Sequence, residues 1–244
     1  MKKIKIFRKI LEIVVEITTI SMFLLLFSIG VYAFYDANSV MESGVLDEVI
    51  LATSPEKNED EKTPLGLIKA INDDAVGWIK IFDTKINHPI MQSHDNSDYL
   101  VQDYKKEYSS AGSVFTDFRN DGFNNDFTII YGHRMSEGLM FSDVTKYYDE
   151  QFFNEHLRGR LWTEKDVYDF QVIGFAVFNV GQSNIYSLDE YLGNSGGAYA
   201  ELSKYMLHNS NYEYQEGDKL LLLSTCDGSG RHKRDVLLGK LVKK

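Results

Sequence analysis

Cys226 is the only cysteine in 244 residues, and it stands where an unbroken apolar run turns polar: KLLLLSTCDGSGRHKR, residues 219–234. A strand end holds a nucleophile on a rigid element and leaves it reachable. Arg231, Lys233 and Arg234 follow closely, and nearby positive charge favours the reactive thiolate. A lone thiol that cannot pair within its own chain is either a small buried hydrophobe or a reactive group. Spacing alone leaves both open.

A thiol nucleophile needs a proton-transfer partner, most often histidine. The chain has six. His88 precedes Pro89 in a strand-like run, His94 lies in a polar loop, and His156 and His208 fall in helix-like segments. His232 is close to Cys226 but sits in the basic loop. His133 follows FTIIYG and so ends a second apolar strand. Two side chains at the ends of neighbouring strands can meet across one face, which puts His133 ahead of His232 while spacing keeps both. A guanidinium offers fixed N–H donors for a carbonyl or an oxyanion. Arg234 opens the last strand-like run, DVLLGKLV, and returns beside Cys226 if that run pairs antiparallel with 219–225. Arg231 is less constrained, and a salt bridge to one of the many acids is the plainer role for either.

Metal and phosphate chemistry find little support. DFRNDGFNNDFT (117–128) has the look of a calcium loop, but Arg119 and Thr128 occupy positions where such a loop needs an oxygen ligand and a glutamate. There is no HExxH, no paired-cysteine zinc motif and no GxxxxGK. No cofactor is expected. A net charge of −10 gives no sign of nucleic-acid binding.

These groups must be positioned by β-structure. Runs rich in β-branched and aromatic residues, bounded by Gly, Asn and Asp, predict strands at 77–82, 87–91, 112–116, 127–131, 159–163, 167–178, 219–225 and 235–242. Eight strands suit a closed barrel, which removes exposed edges. LGLIKAINDD, from Leu65, has helical spacing, and helical patterns interrupt the strands at 139–157 and 188–208, the latter with a Gly-Gly break.

The N-terminus differs in kind. MKKIKIFRK carries five bases and no acid, and Ile17–Tyr35 is 19 residues without a charge. About 20 apolar residues span a bilayer as a helix. Bases before the span place the N-terminus in the cytoplasm. The segment ends in aromatics rather than the small residues of a cleavage site, so an uncleaved signal anchor is expected. The expected divisions are a basic N-terminus at 1–10, an anchor at 11–35, a stalk helix and charged, proline-containing linker at 36–64, and the main domain at 65–244.

LLSTC (222–226) resembles the TLxTC signature of sortases, YGH (131–133) their catalytic histidine motif, and Arg234 their catalytic arginine. INDDAVGWIKI, INHPIMQSHDNSDYL, GSVFTDFRN and TIIYGHRMSEGLMF are similar to the class B branch, and the likeness runs from about Leu65 to the C-terminus. Leu222 departs from the signature, where threonine is usual; that side chain is not one of the catalytic three. The resemblance implies a mainly β, eight-stranded barrel with an N-terminal helix and a helical insertion before the cysteine-bearing strand. It implies a membrane-anchored cysteine transpeptidase that cleaves a C-terminal sorting signal of secreted proteins and joins the new end to a cell-wall amine. Cys226, His133 and Arg234 would be catalytic, and Asn96, Leu100, Ile185, Tyr186 and Ser224 would bind substrate. The partners implied are sorting-signal proteins, a cell-wall precursor and the membrane. A cysteine peptidase releasing to water, and a non-catalytic tethered binding domain, are the rival readings.

Overall fold

The structure, a computed structural model, describes residues 2–43, 50, 65–135, 138–226 and 232–244; the side chains of residues 2–3 and 39–43 and of Cys226 lie outside the described residues. Of the expected stalk and linker at 36–64, residues 44–49 and 51–64 fall outside them, as does Arg231. The chain divides into two units, Met1–Glu42 and Ser43–Lys244.

The first unit is a helix, α1 (Lys2–Ser43), whose stretch Ile4–Asn38 is long and apolar enough to cross a membrane. No proline interrupts it. Its hydroxyls bond back to the preceding turn: Thr18 and Thr19 Oγ1 donate to the Val15 carbonyl (2.9 and 2.7 Å) and Ser28 Oγ to Leu24 (2.8 Å). Such bonds satisfy polar atoms within the helix itself.

The second unit is a β-barrel. After α2 (Leu65–Ile71) come β1 (Ala75–Ile81), β2 (Asn87–Met91), β3 (Val114–Thr116), β4 (Phe127–Tyr131), α3 (Glu150–Glu155), β5 (Arg158–Thr163), β6 (Val167–Asn179), α4 (Ser195–Ser203), β7 (Met206–Asn209), β8 (Lys219–Cys226) and β9 (Lys233–Lys243). The strands run β5-β1-β2-β3-β4-β8-β9-β6, and β6 pairs again with β5 to close the ring. The pairs β2–β3 and β4–β8 are parallel and the rest antiparallel.

The leucine run of β8 follows from its place. Leu221 and Leu223 join the cluster formed with Ile79, Ile81, Ile130, Phe170 and Leu237. Leu220 and Leu222 join a second cluster with Phe127, Ile129, Leu238 and, from α4, Ala198 and Leu202. A strand covered on both faces reads as continuous apolar sequence rather than as alternation. A third cluster gathers Ile68 of α2 with Trp78, Met91, Phe115 and Trp162.

All eight expected strands form. The helix expected from Leu65 forms as α2, and a helical insertion, α4, precedes β8, but the two longer helical patterns need correction. The segment 139–157 is a 3-10 turn, Ser142–Tyr148, followed by α3; Asp149 breaks it, its side chain accepting the Phe152 N–H (2.7 Å) as an N-cap. The segment 188–208 holds a 3-10 turn at Leu188–Glu190 and α4, then a ninth strand, β7, along β6 beyond the end of β5. Gly196 and Gly197 lie in the first turn of α4, which Asn194 caps.

Candidate active site

The parallel pairing of β4 with β8 sets Tyr131 opposite Ser224, and the Gly132 N–H donates to the Ser224 carbonyl (3.2 Å). His133 therefore leaves β4 at the end of the barrel where β8 reaches Cys226. The antiparallel β8–β9 register sets the Cys226 backbone opposite Arg234. Three strand ends meet here although long stretches of chain separate them.

A cavity of about 380 Å³ opens at this end. Asn96 and Leu100, from the loop after β2, contribute one part of its wall, and Val180 and Tyr186, from the segment after β6, another. Phe115, Arg119 and Tyr131 also line it, and Gly132, His133, Ser224, Thr225 and Arg234 complete it. The structure thus brings His133, Arg234, Asn96, Leu100, Tyr186 and Ser224 into one cleft. The Cys226 backbone pairs at its edge, its side chain lying outside the described residues. Ile185 stands apart: its side chain is fully buried in the cluster beneath α4 and does not line the cleft. His232 is exposed and not among the lining residues; its carbonyl accepts the Val180 N–H.

His133 is held from several sides. Its Nε2 lies 2.9 Å from the Leu100 carbonyl. A carbonyl oxygen only accepts, so Nε2 carries the proton and Nδ1 is the nitrogen left to gain or lose one. Leu100 is itself fixed. Gly112 (φ +60°) passes so close that a Cβ there would lie 2.8 Å from the Leu100 oxygen and 2.5 Å from that of Tyr99, and the Ser113 N–H donates to Tyr99 (2.9 Å). On the other side the His133 carbonyl accepts the Phe141 N–H (3.0 Å). The fully buried Phe141 ring presses on Gly132, where a Cβ would sit 2.7 Å from it. This contact accounts for the glycine of YGH.

The lining residues are joined by a charged network that sequence reasoning missed. Asp117, fully buried, accepts from Arg119 Nε and Nη2 (2.9 Å each), Tyr131 Oη (2.8 Å) and Asn96 Nδ2 (2.9 Å). Burial alone would raise its pKa; the Arg119 bonds, followed by those of Tyr131 and Asn96, outweigh this and hold it below the usual carboxylate range. Burial, with the Asp117 charge, pushes the Tyr131 phenol up. Tyr186 Oη bonds Ser224 Oγ (2.7 Å). At the start of β9, the buried Asp235 accepts from Tyr148 Oη (2.7 Å), and the Lys233 ammonium lies 5.3 Å from the Tyr148 ring centre. The available signal for this network was an acid and a base two residues apart immediately after a strand.

Among the described residues, His94, Asp95 and Asp98 bring ligand-type atoms within 4.8 Å of one another at the surface. Their carboxylates already accept from Ser93 Oγ and from the Ser97 and Asp98 N–H groups. His88 is buried, with a hydrogen bond to the Met140 backbone and no partner for Nε2. Burial pulls its pKa down to about 4, so it is neutral.

No protein-family model matches the chain. Curated relatives do. It is 35% identical over 198 residues to sortase B of Listeria monocytogenes serovar 1/2a, covering 79% of this chain and 80% of that protein. It is 31% identical over 181 residues to sortase B of Staphylococcus aureus, covering 72% and 73%. Among solved structures, the Staphylococcus aureus sortase B–substrate complex superposes with a TM-score of 0.71 at 27% identity, over 81% of this chain and 94% of the other. Bacillus anthracis sortase B in complex with AAEK1 gives 0.64 at 33% identity, over 76% and 88%. On the barrel and the extent of these likenesses together, the chain belongs to the class B sortases, which are cysteine transpeptidases.

Proposed function

We propose that this sortase is held in the cell membrane by α1 and joins secreted proteins to a cell-wall amine. The observation that carries the reading is one cavity lined by His133 and Arg234, with the Cys226 backbone paired across from Arg234.

The Cys226 thiolate attacks a threonine carbonyl in the C-terminal sorting signal of a secreted protein. The carbonyl electron pair moves to oxygen, and the Arg234 guanidinium steadies that charge. Collapse breaks the C–N bond; His133 protonates the departing amine from Nδ1, and a thioacyl enzyme remains. An incoming amine then attacks the thioacyl carbon, gives its proton to His133 and releases the thiolate. One amide is broken and one is formed, with no redox change. Asn96, Leu100, Tyr186 and Ser224 line the path of the peptide; Ile185 supports that wall from beneath.

For α1, the basic residues before the apolar stretch support a cytoplasmic N-terminus and a catalytic domain outside the cell. The hydroxyls bonded within the helix suit a lipid environment.

The deciding experiment incubates the full chain, in detergent, with a sorting-signal peptide, with and without an amine acceptor. Mass spectrometry should find a thioacyl adduct on Cys226 and a ligated product that requires the amine. Hydrolysis unchanged by every acceptor would instead make the protein a peptidase. A Cys226→Ala variant with full function would make it a binding domain.

A further inference from the structure

We propose that Asp117 and Arg119 are positioning residues that clasp two parts of the cleft wall, holding Asn96 and Tyr186 at the separation the acyl-donor peptide requires. This rests on the transpeptidase reading above, since it assigns part of the cleft to the donor peptide.

The links to Asp117 and from Arg119 are charge-assisted. Asn96 Nδ2 donates to Asp117 Oδ2 (2.9 Å), while Asn96 Oδ1 accepts the Phe118 N–H (3.0 Å). Those two bonds dictate which way the amide points and leave one N–H and one lone pair for a ligand. Arg119 binds Asp117 in a bidentate fork and turns Nη2 to the Tyr186 carbonyl (3.0 Å). Tyr186 in turn reaches Ser224, two residues before Cys226. One buried carboxylate thus connects residues 96, 119, 131 and 186, which come from separate segments of the chain.

Energetics favour a positioning role over a purely stabilising one. A buried ion pair contributes little net stability compared with apolar side chains of the same volume, because desolvation offsets the attraction. What a planar, bidentate pair supplies is direction. Arg119 also lines the cavity, with its Nη1 3.7 Å from the exposed Asp189 carboxylate. Lysine in its place keeps a charge but cannot bond Asp117 in a fork and Tyr186 together.

The test uses the full chain in detergent and compares wild type with Asp117→Asn, Arg119→Lys and the milder Tyr131→Phe. Three quantities are read: KM and kcat with a sorting-signal peptide, the rate of Cys226 modification by a methanethiosulfonate, and Tm. The clasp predicts a donor KM raised about tenfold in the first two variants and about threefold in Tyr131→Phe, with kcat within about threefold. Cys226 modification should keep its wild-type rate. Unchanged KM with lowered Tm would reduce the pair to a structural staple and overturn the proposal. So would a modification rate that falls in step with activity. Should Asp117→Asn fail to fold, the other two variants decide. Wild-type enzyme that neither forms a thioacyl adduct nor binds the peptide as Cys226→Ala removes the transpeptidase reading and the clasp with it. Wild-type turnover with indifferent variants removes the clasp alone.

Discussion

His133 is caught between a carbonyl and a ring: the Leu100 carbonyl accepts a hydrogen bond from its Nε2, and Phe141 fills the space under Gly132. Gly132→Ala should therefore destabilise the protein by about 1–3 kcal/mol through overpacking. Activity should fall more than Tm, because the displaced backbone is the one that carries His133. Adding Phe141→Leu should recover part of the loss; thermal melts and peptide-transfer rates on the single and double variants check this. At Arg234 the expected loss is chemical. Arg234→Ala should lower kcat about 10²–10³-fold, the usual weight of one oxyanion donor. Arg234→Lys should recover little, since an ammonium lacks the planar fork. The meeting of residues 133, 226 and 234 was legible because each sits at a strand end within a short motif. Asp117 and Arg119 were not, because their meaning lies in bonds to residues 21 and 67 positions away.

At the scale of elements, composition and the Gly, Asn and Asp that bound each run were enough to place eight strands, and the same reasoning failed at β7. Its sequence, MLHN, has no β-branched residue, and it is a strand only because β6 outruns β5 and leaves an edge to pair. Local pattern cannot report such an edge. The expected helix at 139–157 failed for a different reason: Asp149 takes the cap and restarts the helix. β2 carries a testable charge effect. His88 is neutral when buried, near pKa 4, and near 6.5 when unfolded. The unfolded chain binds the extra proton between those values, so this stability is complete above about pH 6.5 and is lost as pH falls through about 4. The loss is about 3 kcal/mol. Denaturant titrations from pH 7 to 4 should show a slope shallower by about one proton in His88→Gln than in wild type. Equal slopes would assign the acid sensitivity elsewhere.

For the whole molecule, closure of the barrel brings residues 133, 226 and 234 to one end, and the single cysteine makes topology simple to read. In intact cells, a membrane-impermeant thiol reagent should label the protein through Cys226 and leave Cys226→Ser unlabelled. Labelling only after lysis would place the catalytic domain inside. The strand that ends in Cys226 has a consequence of its own. β8 is paired on both edges, and Leu220–Leu223 are fully buried on both faces. Slipping it by one residue would exchange the two leucine pairs between clusters and break both ladders together. In hydrogen–deuterium exchange the amides of 220–224 should be among the last to open, and those of β7, an edge strand held on one side, among the first. A covalent inhibitor therefore cannot count on the fold breathing open around its target; it must enter by the mouth of the cleft, the route proposed for the peptide.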